Sequence, residues 1–254
     1  LNNLKMKLIT EKNEIVDCLQ MGASIAERRQ TIPILANLKI VAMAGKLEIT
    51  ATDLEIQLKT VSDVKEVIEE GETTVSARKM SELCRSLPDK EALEFNLNNG
   101  KLTVSSKNFH ADFATISALD FPELDIKEET DSLPIESKTL KRLLNKTAFC
   151  MASQDVRYYL NGLLVEYKEG NINAVATDGH RLALATSQLK ETIKEAEGKR
   201  QIIPRKAVLE LAKILREDNS NIKLSFGNSS LRIKDINLDF STKLIDGKFP
   251  DYEK

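Results

Sequence analysis

A long internal repeat constrains this chain more than any other feature. The triplet Ala-Thr-Asp begins at Ala51, in ITATDLEIQLKT, and again at Ala176, in AVATDGHRLALAT, an offset of 125 residues. PILANLKI (33–40) and YYLNGLLV (158–165) align at the same offset. Arg-Lys pairs fall at 78–79 and 205–206, offset 127; Leu102 matches Leu231, offset 129; Pro122 matches Pro250, offset 128. Matches that keep one order and drift only by loop-sized steps mark two homologous domains, expected at 6–130 and 131–254. At 254 residues, each half is long enough to bury its own core.

Each half also reads as doubled. Amphipathic helices are expected at 12–23, 77–87, 137–151 and 205–216. Between them lie alternating runs such as ALEFNLNNGKLTVSS, where Asn-Asn-Gly supplies a hairpin turn. The repeated unit is therefore one helix followed by several antiparallel strands, used twice per domain. This makes an α+β fold. Cys18, Cys84 and Cys150 recur every 66 residues, once per helix. With no CxxC spacing, they read as buried core residues in a reducing compartment, neither disulfides nor metal ligands. No cofactor is implied.

The net charge of −2 hides a sorting of charge. In the third helix Leu140, Leu143, Leu144, Thr147 and Ala148 follow one buried face. Lys138, Lys141, Arg142, Asn145 and Lys146 hold the other, with no acidic residue. The second and fourth helices offer Arg78, Lys79, Arg85 and Arg205, Lys206, Lys213, Arg216. Acid gathers in VKEVIEEGE, DIKEETD and KETIKEAEG, which read as loops and turns. One such helix is an ordinary solvated face, but repetition favours duplex nucleic acid held through phosphates without base reading. Trp is absent and aromatics are 5%. That argues against a membrane-surface helix and against stacked single-strand platforms. No apolar run approaches the ~18–20 residues of a membrane span.

VATDGHRLAL (175–184) has the look of a catalytic motif. A hydrolase using Asp178 and His180 would need a nucleophile or further ligands, and His110, the one other histidine, has none around it. A tight Asp-Gly turn between NINAVAT and HRLALAT accounts for Asp178 and Gly179. The first copy, ATDLEIQL, lacks Gly, His and Arg, so those three residues point to a binding task beyond the turn.

QDVRYYLNG (154–162), VATDGHRLA (175–183), IIPRKAV (202–208) and KLIDGKFPDY (243–252) closely resemble the sliding clamp family of bacterial DNA polymerase III beta subunits. RQTIPILANL, LEITATDLEI and TTVSARKMSELCRSLP in the first half are also similar, so the likeness runs from Met6 through nearly the whole chain. The resemblance implies the DNA clamp (processivity) fold, with two helices per domain lining a ring and sheets outside. It implies a head-to-tail homodimer around duplex DNA, no catalysis, and a cytoplasmic, replisome-associated protein. Partners would be the polymerase alpha subunit, the clamp loader and repair polymerases, docking through short linear peptides. Carried over by motif, the peptide pocket comprises Arg157, Tyr159, Leu160, Thr177, Gly179, His180, Arg181, Leu182 and Pro250. Leu160, Leu182 and Pro250 would be its apolar walls. DNA contacts implied by the resemblance are Arg29, Gln154, Tyr159 and Lys206. The basic helices add Arg78, Lys79, Lys138, Lys141, Arg142 and Arg205.

Family subunits carry a third domain, and Phe249-Pro250-Asp251 stands where the first domain has Phe121-Pro122-Glu123 and a linker. A further domain is therefore expected beyond Lys254. A two-domain peptide-binding fragment unable to close a ring is the alternative reading, with the hydrolase behind both.

Overall fold

The computed structural model describes residues 5–26, 32–124, 132–190 and 194–254. Contacts divide the chain into two compact units, Leu1–Leu124 and Asp125–Lys254.

Unit one runs β1 (Met6–Glu11), α1 (Lys12–Ile25), a 3-10 turn (Pro33–Ala36), β2 (Asn37–Met43), β3 (Lys46–Thr52), β4 (Ile56–Asp63), β5 (Glu66–Glu69), β6 (Gly71–Ser76), α2 (Ala77–Ser86), β7 (Ala92–Asn98), β8 (Lys101–Ser105) and β9 (His110–Ile116). Unit two runs β10 (Ser132–Glu136), α3 (Ser137–Thr147), 3-10 turns at Ala148–Cys150 and Tyr158–Leu160, β11 (Gly162–Lys168), β12 (Asn171–Thr177), β13 (Leu182–Gln188), a 3-10 turn (Lys194–Ala196), β14 (Arg200–Pro204), α4 (Arg205–Ile214), β15 (Asn221–Phe226), β16 (Ser230–Lys234) and β17 (Leu238–Lys243).

A strand precedes every helix, which the sequence reading missed, and it pairs with a strand of the other half; in unit one β1 also takes β5, and β6 takes β9, on its second edge. β1 pairs with β7, while β6 pairs with β2. Likewise β10 pairs with β15 and β14 with β11. Each half-unit thus lends its first strand to the other half, giving in unit one the sets β4-β3-β2-β6 and β9-β8-β7-β1, which join through β6 and β9 and end on β5. Unit two repeats them as β13-β12-β11-β14 and β17-β16-β15-β10. Exchanged strands make the two halves one cooperative body.

Side-chain alternation fixes which face packs. α1 buries Ile15, Cys18, Leu19, Gly22 and Ile25, and packs against β3, β4 and α2. A Cβ on Gly22 would stand 2.8 Å from Leu38 Cδ2, so helix and sheet approach more closely than alanine allows. α3 buries Leu140, Leu143, Leu144 and Thr147. It stops at Thr147, and Ala148–Cys150 tightens into 3-10 form. Ala148 is consequently only half-buried, and Cys150 lies on that turn rather than on the helix. All three cysteines are buried and in no disulfide. Burial pushes the Cys84 thiol up to about 11.

A long-range cap joins helix to helix. Lys12, buried at the start of α1, donates to Leu87 O at 2.7 Å and Asp89 Oδ1 at 2.9 Å, beyond the C-terminus of α2. A cation there meets the negative end of the helix dipole. At the equivalent place in unit two, Ser137 Oγ donates to Arg216 O at 3.0 Å.

Three hairpins share one two-residue turn, at Ala44-Gly45, Asn99-Gly100 and Glu169-Gly170, with both φ values positive in each. This is the turn whose twist suits paired strands. Asn-Gly announces it; Ala44 and Glu169 carry no such signal. VKEVIEEGE, expected as a loop, forms β5 and the start of β6. Its acidic side chains are tolerated because β5 is a short edge strand. DIKEETD and Arg29 lie outside the described residues, as does part of KETIKEAEG.

Candidate functional site

The 178–181 connection is a four-residue loop, not a two-residue turn, and β13 begins at Leu182. Thr177 Oγ1 accepts from Gly179 N (3.1 Å) and donates to Arg181 O (2.7 Å). Asp178 Oδ1 accepts from the amides of His180 and Arg181, both at 3.0 Å. Unit one has the same set: Thr52 Oγ1 with Leu54 N and Ile56 O, and Asp53 Oδ1 with the amides of Glu55 and Ile56. The shared Thr-Asp is therefore scaffold. Leu54 takes φ +72° where Gly179 takes +88°, so the backbone conformation alone does not require glycine. What favours it in addition is the guanidinium of Arg157, whose Nη1 would lie 2.8 Å from a Cβ at 179 and would have to give way.

Arg157 is held there from both sides. Its Nε and Nη2 donate to the two carboxylate oxygens of Asp155 at 3.0 and 2.8 Å, and Nη2 reaches Asp178 O at 3.2 Å. Asn161 closes the 155–161 loop by accepting from Asp155 N and donating to Asp155 O. Arg181 donates from Nε to Asp178 Oδ2 at 2.9 Å and from Nη2 to Phe149 O at 2.9 Å, with its guanidinium 5.7 Å from the Phe149 ring centroid. Amides of His180 and Arg181, then the Arg181 side chain, hold the Asp178 carboxyl at about 2. The side chain and backbone of Arg157 do the same for Asp155. A carboxylate bound this firmly is a poor proton acceptor near neutrality. Among the described residues, no group of three His, Cys, Asp or Glu side chains could hold a metal.

Paired residues on antiparallel strands share a face. Thr177 pairs with Leu182, and Val175 with Leu184 and Leu164, which also pairs Ile202. Leu182 and Leu184 are 48% and 51% exposed on this face. Leu164, Val175 and Ile202 are instead covered by Phe249, with Tyr159, Ile245 and Tyr252 packed around them. The sheet face thus has a covered half on β11 and β14 and an open apolar strip on β13. The 178–181 loop and Arg157 stand at one end of the strip. Leu184 was missed from the sequence, although its i, i+2 relation to Leu182 was the available signal.

Two residues expected to line the pocket, the wall Leu160 and Thr177, are buried. Leu160 is 2% exposed and Thr177 7%, the latter with its hydroxyl engaged in the loop, so both support the surface from beneath. Pro250, Arg157, His180 and Arg181 are exposed, and Tyr159 is half-buried.

Helix cations differ in how far they are neutralised. Arg78 pairs with Glu82 (2.8 Å), Lys138 with Glu136 (3.6 Å) and Lys141 with Glu217 (3.3 Å). Arg205 donates from Nη1 to Met151 O at 2.9 Å, a structural tie rather than a free cation. Among the described residues, the Lys79 and Arg142 side chains are exposed and in no ion pair, and Gln154 and Lys206 are exposed. In unit one, Arg78, Lys79 and Arg85 rim a groove of about 640 Å³ beside Ala23, Ala26 and Ala36. α1 departs from the pattern, presenting Glu14 and Asp17 outward.

Comparison with known proteins follows the same division. The DNA polymerase III beta subunit N-terminal domain family matches residues 6–125, and the central domain family matches 134–251. The beta sliding clamp of Pseudomonas putida is 37% identical over 98% of this chain, and that of Escherichia coli 35%. Both matches span 67% of the relative, so the chain corresponds to about two thirds of their length. The Pseudomonas aeruginosa sliding clamp bound to griselimycin superposes with a TM-score of 0.93 at 37% identity, covering 98% of this chain and 67% of that one. The Bacillus subtilis clamp gives 0.89 at 28% identity, covering 97% and 66%. With both domain families matched in order and the fold shared, this chain belongs to the bacterial beta sliding clamp family of DNA polymerase III.

Proposed function

We propose that this chain serves as a non-catalytic sliding clamp subunit that surrounds duplex DNA and tethers replication and repair partners through short peptides. The observation that carries the DNA half is α3, eleven residues with no acidic side chain and Lys138, Arg142, Asn145 and Lys146 exposed. Such a face attracts phosphate and has no means of telling one base pair from another. Topological enclosure lets those contacts stay weak, so the protein slides. Arg142 and Lys79 are the primary phosphate contacts in this reading, followed by Gln154 and Lys206, with Lys138, Lys141 and Arg78 secondary.

Partner peptides would lie on the open strip of Leu182 and Leu184, against Tyr159 and Pro250, with His180, Arg181 and Arg157 as polar rim. A few apolar anchors would supply most of the affinity. The experiment is retention on DNA. Protein assembled on a nicked circular duplex should stay bound through gel filtration and leave when the circle is cut. Arg142→Glu should shorten retention and lower its salt sensitivity. Equal loss from circular and linear DNA overturns the enclosing reading.

A further inference from the structure

Residues 244–254 do not trail away from unit two. They run along the face of β11 that carries Gly162, Leu164, Glu166 and Lys168 and contact it row by row. Gly162 leaves space for Ile245, whose Cδ1 would be 2.9 Å from a Cβ there. Two residues on, Phe249 covers Leu164. Two further, the row Asn173–Glu166–Arg200 crosses three strands. Glu166 is 4% exposed, accepts from the Tyr252 hydroxyl and pairs with Arg200 Nε at 3.2 Å. The Arg200 guanidinium lies 5.9 Å from the Tyr252 ring centroid. At the end of the strand, Lys168 meets Glu253 at 2.7 Å.

We infer that Tyr252, anchored on buried Glu166, is a positioning residue for the peptide surface: it latches the 244–254 strap, and the strap sets the wall formed by Pro250 and Tyr159. The inference rests on the docking reading above. Tyr159 packs in one cluster with Phe249, Ile245 and Tyr252 of the strap, and a Cβ on Gly247 would stand 3.1 Å from the Tyr159 Cβ, so a displaced strap removes packing that holds Tyr159. Pro250 sits between the plug, Phe249, and the latch, Tyr252, and follows both. Burial and the Glu166 carboxylate both raise the Tyr252 pKa, so the hydroxyl remains a donor at any working pH. Unit one offers an independent parallel. There Phe121 is buried, and Glu123 accepts from Lys39 at 3.0 Å and Lys59 at 2.7 Å. Both units fasten a Phe-Pro-acid strap to the sheet, with different chemistry for the latch.

Hydrogen exchange and peptide affinity together test this on the whole chain. Tyr252→Phe keeps the ring and removes the donor. Amides of 247–254 should exchange at least tenfold faster while β11 and β12 are unchanged. The dissociation constant of a fluorescein-labelled pentapeptide carrying two leucines and a phenylalanine should rise three- to tenfold through a faster off-rate. Glu166→Gln, which still accepts from the hydroxyl, should lose less on both measures than Glu166→Ala. Unchanged strap exchange in Tyr252→Phe refutes the latch whatever the peptide does. Faster exchange with unchanged peptide affinity refutes the positioning role. A wild-type chain that does not bind the peptide overturns the docking reading and the positioning role with it, and exchange alone then decides the latch.

Discussion

Gly179→Ala is the sharpest perturbation of the 178–181 loop, because its cost divides into two parts. A left-handed φ of +88° penalises any Cβ by about 1–2 kcal/mol. Leu54 pays that penalty in the equivalent loop of unit one, so it is survivable. The second part is contact. The new methyl would lie 2.8 Å from Nη1 and 3.2 Å from Cζ of Arg157, closer than carbon tolerates. Arg157 can swing out while keeping Asp155, and then surrenders its bond to Asp178 O, a loss of about 0.5–1 kcal/mol for a solvent-facing bond. The total is about 2 kcal/mol. Urea denaturation of wild type, Gly179→Ala, Arg157→Ala and the double variant would measure it. In the Arg157→Ala background the glycine substitution should cost only the backbone part, giving a coupling of about 0.5–1 kcal/mol. Strict additivity would show that Arg157 does not constrain position 179, and that the glycine answers to the backbone alone.

Lys12→Met should destabilise unit one by about 1–3 kcal/mol, because it leaves Leu87 O uncapped at the end of α2 while preserving most of the side-chain volume; thermal unfolding would register it, and an unchanged midpoint would remove the cap from the account. Acid should loosen the 155–181 region late. Asp155 and Asp178 both titrate near about 2 in the folded protein, below the unfolded range near 4. Their contribution is therefore complete above about pH 4 and lost as pH falls toward 2. Carboxyl chemical shifts followed from pH 6 to 1.5 would show midpoints near 2, and midpoints near 4 would mean the loop bonds do not form in solution.

Much of this molecule could be read along the chain. The repeat identified two related domains, and 3.6-residue periodicity located all four helices within a few residues, since an amphipathic face is a local property. Asn99-Gly100 announced its hairpin because only certain residues accept two positive φ values cheaply. Ala44-Gly45 and Glu169-Gly170 did not, because there the strand pairing imposes the turn on an indifferent first residue.

At the candidate site, the sequence by itself singled out Gly179, His180 and Arg181, since the first copy lacks them. Only the tertiary structure decided what that difference means. Arg157 comes from a separate loop and stacks on Gly179. Leu160 and Thr177 are buried supports, and Leu184 is exposed. Glu166, unremarkable in a strand, becomes the anchor for Tyr252 eighty-six residues away. The sequence of a strand determines which side chains share a face. Whether that face is open, or closed by a distant segment, depends on long-range packing, and here it is the strap from the end of unit two that covers β11 and leaves β13 free.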